Sequence, residues 1–225
     1  MSYIYDTEFQ NAIENTINLG ATLDDFTLND KRYFKQDMSI FSDNIIKTLM
    51  WLKDKKKVDN QPEFIPLAFS IIANCGPFHN YMKPIIEKAF NCKSYLTLGY
   101  IKLSKIEGEE EKTYHKFEIS DIEESISSNK SFPHNHHIWL TLDSGEILDM
   151  TFLMTFRSVD DEEGFYKTVE TEGLPLEFIN KHYSELTEGM EYKPMYVGED
   201  LLNKAGYNLK LLTSLAVWDS YPETI

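Results

Sequence analysis

Apolar residues early in the chain recur at helical intervals, and those in the middle recur at strand intervals. Phe9, Ile13, Ile17 and Leu19 follow Asp6-Thr7-Glu8, and this spacing behind an acidic opening predicts a first helix. A second helix is predicted over 38–57, with Ile40, Phe41, Ile45, Ile46, Leu49, Met50 and Leu52 as its apolar stripe. Its cationic end, Lys53-Asp54-Lys55-Lys56-Lys57, suits the negative end of a helix dipole and reads as a solvated helix end. Gln61-Pro62-Glu63-Phe64-Ile65-Pro66 is a linker to an apolar segment, then Cys75 and a helical stretch through Phe90. Pro77 fits the first turn of that helix, whereas Pro84 is expected to kink it or end its first piece.

After Asn91 the pattern turns to β. Tyr95 to Leu103 is rich in aromatic and aliphatic residues with partial alternation, which predicts a strand. Residues 107–112 form a charged turn, Tyr114 to Ile119 suggests a second strand, and Asp121 to Lys130 reads as a polar helix or loop. Leu140, Leu142, Ile147 and Leu148 flank Asp143-Ser144-Gly145, a hairpin turn between two short strands. Folding it brings His137 level with Asp149, so an imidazole and a carboxylate could touch across the ladder. From Arg157 to Gly164 the chain is acidic and reads as an exposed loop; a helix opened by Gly198-Glu199-Asp200 comes near the end. The expected fold class is α+β, a helical N-terminal half packed on an antiparallel sheet. Residues 1–60 read as a helical extension and 61–225 as the core with a C-terminal elaboration, together one compact unit. No internal repeat or low-complexity tract is present.

Composition narrows the partners. The formal net charge is -15 over 225 residues, which would repel a nucleic-acid backbone and an anionic membrane surface. With 42% hydrophobic and 13% aromatic residues the chain can bury a sizeable core, so disorder is not expected. Its two cysteines, Cys75 and Cys92, do not make a secreted disulfide framework. The opening Met1 to Asp6 lacks the basic and apolar regions of a signal peptide, and the apolar run from Phe64 to Ala73 is too short to span a bilayer. A cytoplasmic location is expected.

The chemistry concentrates in three residues. Cys75, His137 and Asp149 are a thiol, an imidazole and a carboxylate, the parts of nucleophilic catalysis at an acyl carbon. A helix start at Cys75 would lower the thiol pKa, and the free N–H groups there, that of Gly76 among them, could hold an oxyanion. Asn74 could add a donor or cap the helix. Within His134-Asn135-His136-His137, His137 is preferred as the base: it shares strand parity with Trp139, while His136 should point to the opposite face. Trp139 reads as core packing, with a cleft role as the lesser reading. Two other readings stay open for Cys75. It could be a buried structural thiol. It could also join His79, His134, His136, His137 and Asp149 around a metal, but that spacing fits no finger or ribbon, so no metal and no cofactor are expected. His79 reads as a polar residue at the cleft edge, and Cys92 as inert.

The chain resembles the transglutaminase-like superfamily at three places. Asn74-Cys75 followed by a helix and then Leu98-Gly99-Tyr100 is similar to that family's cysteine helix and following strand. His137-Ile138-Trp139 is similar to its His-x-Trp, and Leu148-Asp149-Met150-Thr151 to its Leu-Asp-x-Thr. These motifs span roughly residues 70–155. The hairpin between His137 and Asp149 is short for the family, and the aromatic residue that often precedes the aspartate strand is absent. The resemblance implies a papain-like fold and acyl transfer through a Cys75 thioester, with a peptide, protein or small amide as substrate. It also admits a catalytically silent binding module for a protein partner.

Overall fold

The computed structural model describes residues 5–24, 27–34, 74–104, 112–128, 131–133, 135–160, 164, 167 and 178–209. The helix predicted over 38–57, the linker at 61–66 and His134 lie outside them. Within them the chain is mixed α+β, with helices packed on an antiparallel sheet.

The helices are α1 (Tyr5–Asn18), α2 (Cys75–Phe90), α3 (Ile119–Ser128), α4 (Phe152–Asp160) and α5 (Glu199–Lys204). The strands are β1 (Ser94–Leu103), β2 (Lys112–Tyr114), β3 (His137–Leu142), β4 (Glu146–Asp149), β5 (Ile179–His182) and β6 (Met190–Val197). On one edge of β1, Ser94 to Gly99 pair with β3 and Ile101 to Leu103 pair with β2, so β3 and β2 lie end to end. The other edge of β1 pairs with β6, and β3 continues through β4 to β5.

Side chains alternate across this sheet as the strand period requires. Leu96, Leu98, Ile138, Leu140 and Leu142 join Phe78, Met82 and Ile86 of α2 in one core cluster. Tyr95, Ile101, Trp139, Ile147 and Tyr192 join Tyr5, Phe9 and Ala12 of α1 in a second. The sheet is therefore buried on both faces. Polar groups in the second cluster satisfy one another: the Tyr5 hydroxyl lies 2.7 Å from Thr141 Oγ1 and accepts from Trp139 Nε1 at 3.1 Å. Buried Glu146 ties residues 33–34 to the hairpin, accepting from the backbone N–H groups of Tyr33 and Phe34 and from the Ser144 hydroxyl.

Four expectations are corrected. The buried stripe of α1 is Tyr5, Phe9, Ala12 and Thr16, and Ile17 is 55% exposed. Thr16 is buried in its place because its hydroxyl donates to the Ala12 carbonyl and accepts from the Val197 N–H. Pro84 does not end α2, which runs on to Phe90. The second strand stops at Tyr114, where His115 takes a left-handed backbone with φ +61, and Asp121 accepts from the Glu118 N–H ahead of α3 at Ile119. Arg157 to Asp160 belong to α4, not to a loop; residues 161–163 lie outside the described part. Gly145, with φ +76, closes the β3–β4 turn by donating to the Leu142 carbonyl.

Candidate active site

Cys75 is the first residue of α2, where backbone N–H groups have no partner within the helix. Asn74 stands at the N-cap, but its side chain makes no capping hydrogen bond, contrary to the simpler reading of that residue; only its carbonyl joins the helix, accepting from the Phe78 N–H at 2.9 Å. The thiol is buried, with His136 and His137 as the neighbours that act on its ionisation.

The carboxylate end is built by the hairpin. The register pairs Leu140 with Leu148, which sets Asp149 opposite Trp139 and diagonal to His137, rather than level with it as expected. His137 and Asp149 still share a face, and His137 Nε2 lies 2.6 Å from Asp149 Oδ2. The Tyr192 hydroxyl donates to the same oxygen at 2.7 Å. Oδ1 accepts from the Thr151 N–H, the Thr151 hydroxyl and the Phe152 N–H, so it also caps α4. Asp149 thus binds backbone at the strand end and orients the imidazole. This use of Thr151 explains the Asp-x-Thr spacing.

With Nε2 on Asp149, Nδ1 is the nitrogen of His137 left for the thiol. The resulting charges favour ionisation of both partners. Burial alone would raise Cys75, but hydrogen bonds from His136 and His137 outweigh it and bring the thiol down to about 6. Burial would lower His137, but the charge and hydrogen bond of Asp149, then those of Cys75, push it up to about 10. Asp149 is buried too, yet the positive His137 holds it well below the usual carboxylate range. All three directions favour a thiolate beside an imidazolium beside a carboxylate.

His136, expected on the opposite strand face, precedes β3 and so escapes the strand parity. Its Nδ1 donates to the Pro133 carbonyl at 2.6 Å, its ring packs edge-on to Phe132 and Tyr207, and it meets Cys75. Trp139 is fully buried, and its ring stacks near His137 with centroids 6.0 Å apart. Gly76 faces Tyr207: a Cβ there would lie 2.7 Å from the Tyr207 hydroxyl oxygen. Burial, then the Cys75 charge, raises the pKa of that hydroxyl, so it stays protonated beside Cys75 and Gly76.

His79 is not at a cleft edge but fully buried. Its Nε2 accepts from the Met150 N–H at 2.9 Å, which makes Nδ1 the protonated nitrogen, donating to the Cys75 carbonyl at 2.7 Å. Burial lowers its pKa to about 4, so the ring is neutral, and its 3.7 Å approach to Asp149 is not an ion pair. Cys92 is a free thiol whose sulfur lies 3.9 Å from the Ile86 carbonyl, and burial, then nearby acids, push it up to about 12.

Sequence reasoning missed Tyr207 and His115. His115 has φ +61 and stacks on His137 with centroids 5.5 Å apart. Neither lies in a motif, although a histidine directly after a strand is a weak signal for a left-handed position. Among the described residues, no three His, Cys, Asp or Glu side chains converge as metal ligands, and no helix is long and apolar enough to cross a membrane.

Comparison with known proteins finds no matching family model, no similar curated protein and no similar solved structure.

Proposed function

We propose that this chain catalyses thiol-dependent acyl transfer on a papain-like, transglutaminase-like scaffold. The observation that carries the reading is the His137–Asp149 hydrogen bond of 2.6 Å, on an imidazole that also meets a thiol at a helix start. The Cys75 thiolate attacks the acyl carbon of an amide, forming a C–S bond and an oxyanion. The N–H groups at the start of α2 face that charge, with the Tyr207 hydroxyl as a further donor. Collapse breaks the C–N bond, and His137 gives its proton to the departing amine. Water or a second amine then attacks the thioester, His137 takes its proton, and Cys75 leaves as thiolate. Asp149 keeps Nδ1 of His137 directed at sulfur throughout. Hydrolysis, deamidation and transamidation differ only in the leaving and attacking groups.

The test is an activated ester, p-nitrophenyl acetate, followed by intact-mass spectrometry. An acyl adduct on Cys75, lost in Cys75→Ser and slowed at least about 100-fold in His137→Ala, is the expected result. Absence of any adduct on the wild type would overturn the reading. One observation favours a silent binding module instead: Cys75 is only 8% exposed and lies against Tyr207. An inert Cys75 toward both the ester and iodoacetamide would select that alternative.

A further inference from the structure

A cavity of about 500 Å³ opens beside His137, between β2 and α4. Its volume lies in the range of small-molecule pockets and far above the packing voids of a protein interior. Three of its walls are aromatic. Tyr114 meets Phe156 edge-on with centroids 5.5 Å apart and Phe152 at 6.0 Å, and Phe152 and Phe156 are 6.0 Å apart. Phe152, Thr155 and Phe156 are one face of α4 by helical spacing. Thr155 has its hydroxyl committed to the Thr151 carbonyl, so it brings no free donor. No carboxylate lines the cavity among the described residues.

Two lining rings also touch the proposed base. Phe152 packs edge-on to His137 at 5.7 Å, and His115 stacks on it at 5.5 Å. The left-handed backbone at His115 turns its ring off the end of β2 and onto His137, a conformation that costs free energy in any residue with a Cβ. A ligand against either ring is therefore one ring away from the imidazole that serves Cys75.

We infer that this cavity is a subsite for an aromatic side chain of the substrate acylated at Cys75; the inference rests on the acyl-transfer reading and names its substrate class. An entering phenyl ring would find edge-to-face partners in Tyr114 and Phe156, an arrangement worth about 0.5–1.5 kcal/mol beyond burial. An aliphatic group of similar size would gain only burial, and an ammonium would lose its hydration against rings and meet the like charge of Lys112, which lines the cavity with Asn135.

The test separates binding from turnover. Saturation-transfer NMR on Cys75→Ser with N-acetyl-phenylalaninamide should show transfer to the phenyl protons, and N-acetyl-alaninamide should show none. Thr155→Trp, which fills the cavity, and Phe156→Ala, which removes a wall, should each weaken binding about tenfold or more. In the wild-type enzyme, phenylalanyl amides should be turned over about tenfold better than alanyl amides. No phenyl transfer to Cys75→Ser, or equal transfer in all three proteins, would overturn the subsite whatever the activity. Phenyl binding without any turnover would keep the subsite and sink the catalytic reading.

Discussion

His79 spans the gap between the nucleophile and the carboxylate strand: Nδ1 donates to the Cys75 carbonyl, and Nε2 accepts from the N–H of Met150, the residue after Asp149. One neutral ring thus fixes the start of α2 against the end of β4. Protonation breaks the second bond, because an imidazolium has no lone pair for the Met150 N–H, while the Nδ1–H donation to Cys75 persists.

The consequence is an acid-sensitive fold. The unfolded chain takes up a proton at His79 near the ordinary 6.5, while the native ring does so only near 4. Between these values the unfolded state binds more protons, so stability is full above about 6.5 and falls as pH drops toward 4. The loss at this residue is about 3 kcal/mol. Urea denaturation across that window should show a steep acid slope in the wild type and a shallower one in His79→Phe. At pH 7 the variant should itself be about 1–3 kcal/mol less stable, because the Met150 N–H is left buried without an acceptor.

Cysteine labelling checks the charge state of the site. Iodoacetamide should alkylate Cys75 with an apparent pKa near 6, and Cys92, pushed up to about 12, should stay nearly unlabelled at pH 6. His137→Ala should move the Cys75 profile toward ordinary thiol values. Asp149→Ala should move it less, since it removes the orienting group and leaves the imidazole. Mass spectrometry of each cysteine peptide against time gives the rates. Equal, slow labelling of both cysteines would mean an ordinary core thiol.

The meeting of His137 with Asp149 was legible in the sequence because a short hairpin joins them, whose turn chemistry at Asp143-Ser144-Gly145 is local. The helix start at Cys75 and the strand from Ser94 were legible for the same reason: proline placement and aromatic content act over a few residues. The two-residue offset between His137 and Asp149 was not, because register follows from the cross-strand pairing of Leu140 with Leu148. His115 and Tyr207 were missed, and His79 was placed at a cleft edge rather than in the core, because their partners are set by packing. A buried histidine held by one carbonyl and one N–H looks, in sequence, like any polar helix residue. Arg157 was misplaced for a different reason: the acidic run behind it masked a helix already capped by Asp149.

At Gly99 the backbone of β6 lies close against β1. The register slips between Leu98 and Gly99, and a Cβ at Gly99 would lie 2.0 Å from the Lys193 carbonyl oxygen and 2.7 Å from the Trp139 ring. Backbone cannot give way there without breaking the β1–β6 ladder, and Trp139 supports His137. Gly99→Ala should therefore cost at least about 3 kcal/mol or prevent folding, read as a fall in Tm or as insoluble expression. A soluble variant with an unchanged Tm would show that the close approach relaxes freely.

Gly76 sets two effects against each other. Alanine is the better helix former by about 1 kcal/mol, so propensity alone favours Gly76→Ala in α2. The new Cβ, however, would meet the Tyr207 ring at 2.4 Å and its hydroxyl at 2.7 Å. That ring is wedged between Phe132 at 4.7 Å and His136 at 5.0 Å, so it cannot swing aside cheaply. Overpacking of this kind costs about 1–3 kcal/mol, and the clash should outweigh the propensity gain. Gly76→Ala should lower stability, while in a Tyr207→Ala background the same substitution should be neutral or stabilising. Tyr207→Phe keeps the ring and removes only the hydroxyl. It should leave stability nearly unchanged and shift the Cys75 alkylation profile to higher pH, because the thiolate loses a donor. Identical effects of Gly76→Ala in both backgrounds would place Tyr207 elsewhere in solution and remove it from the oxyanion side of the site.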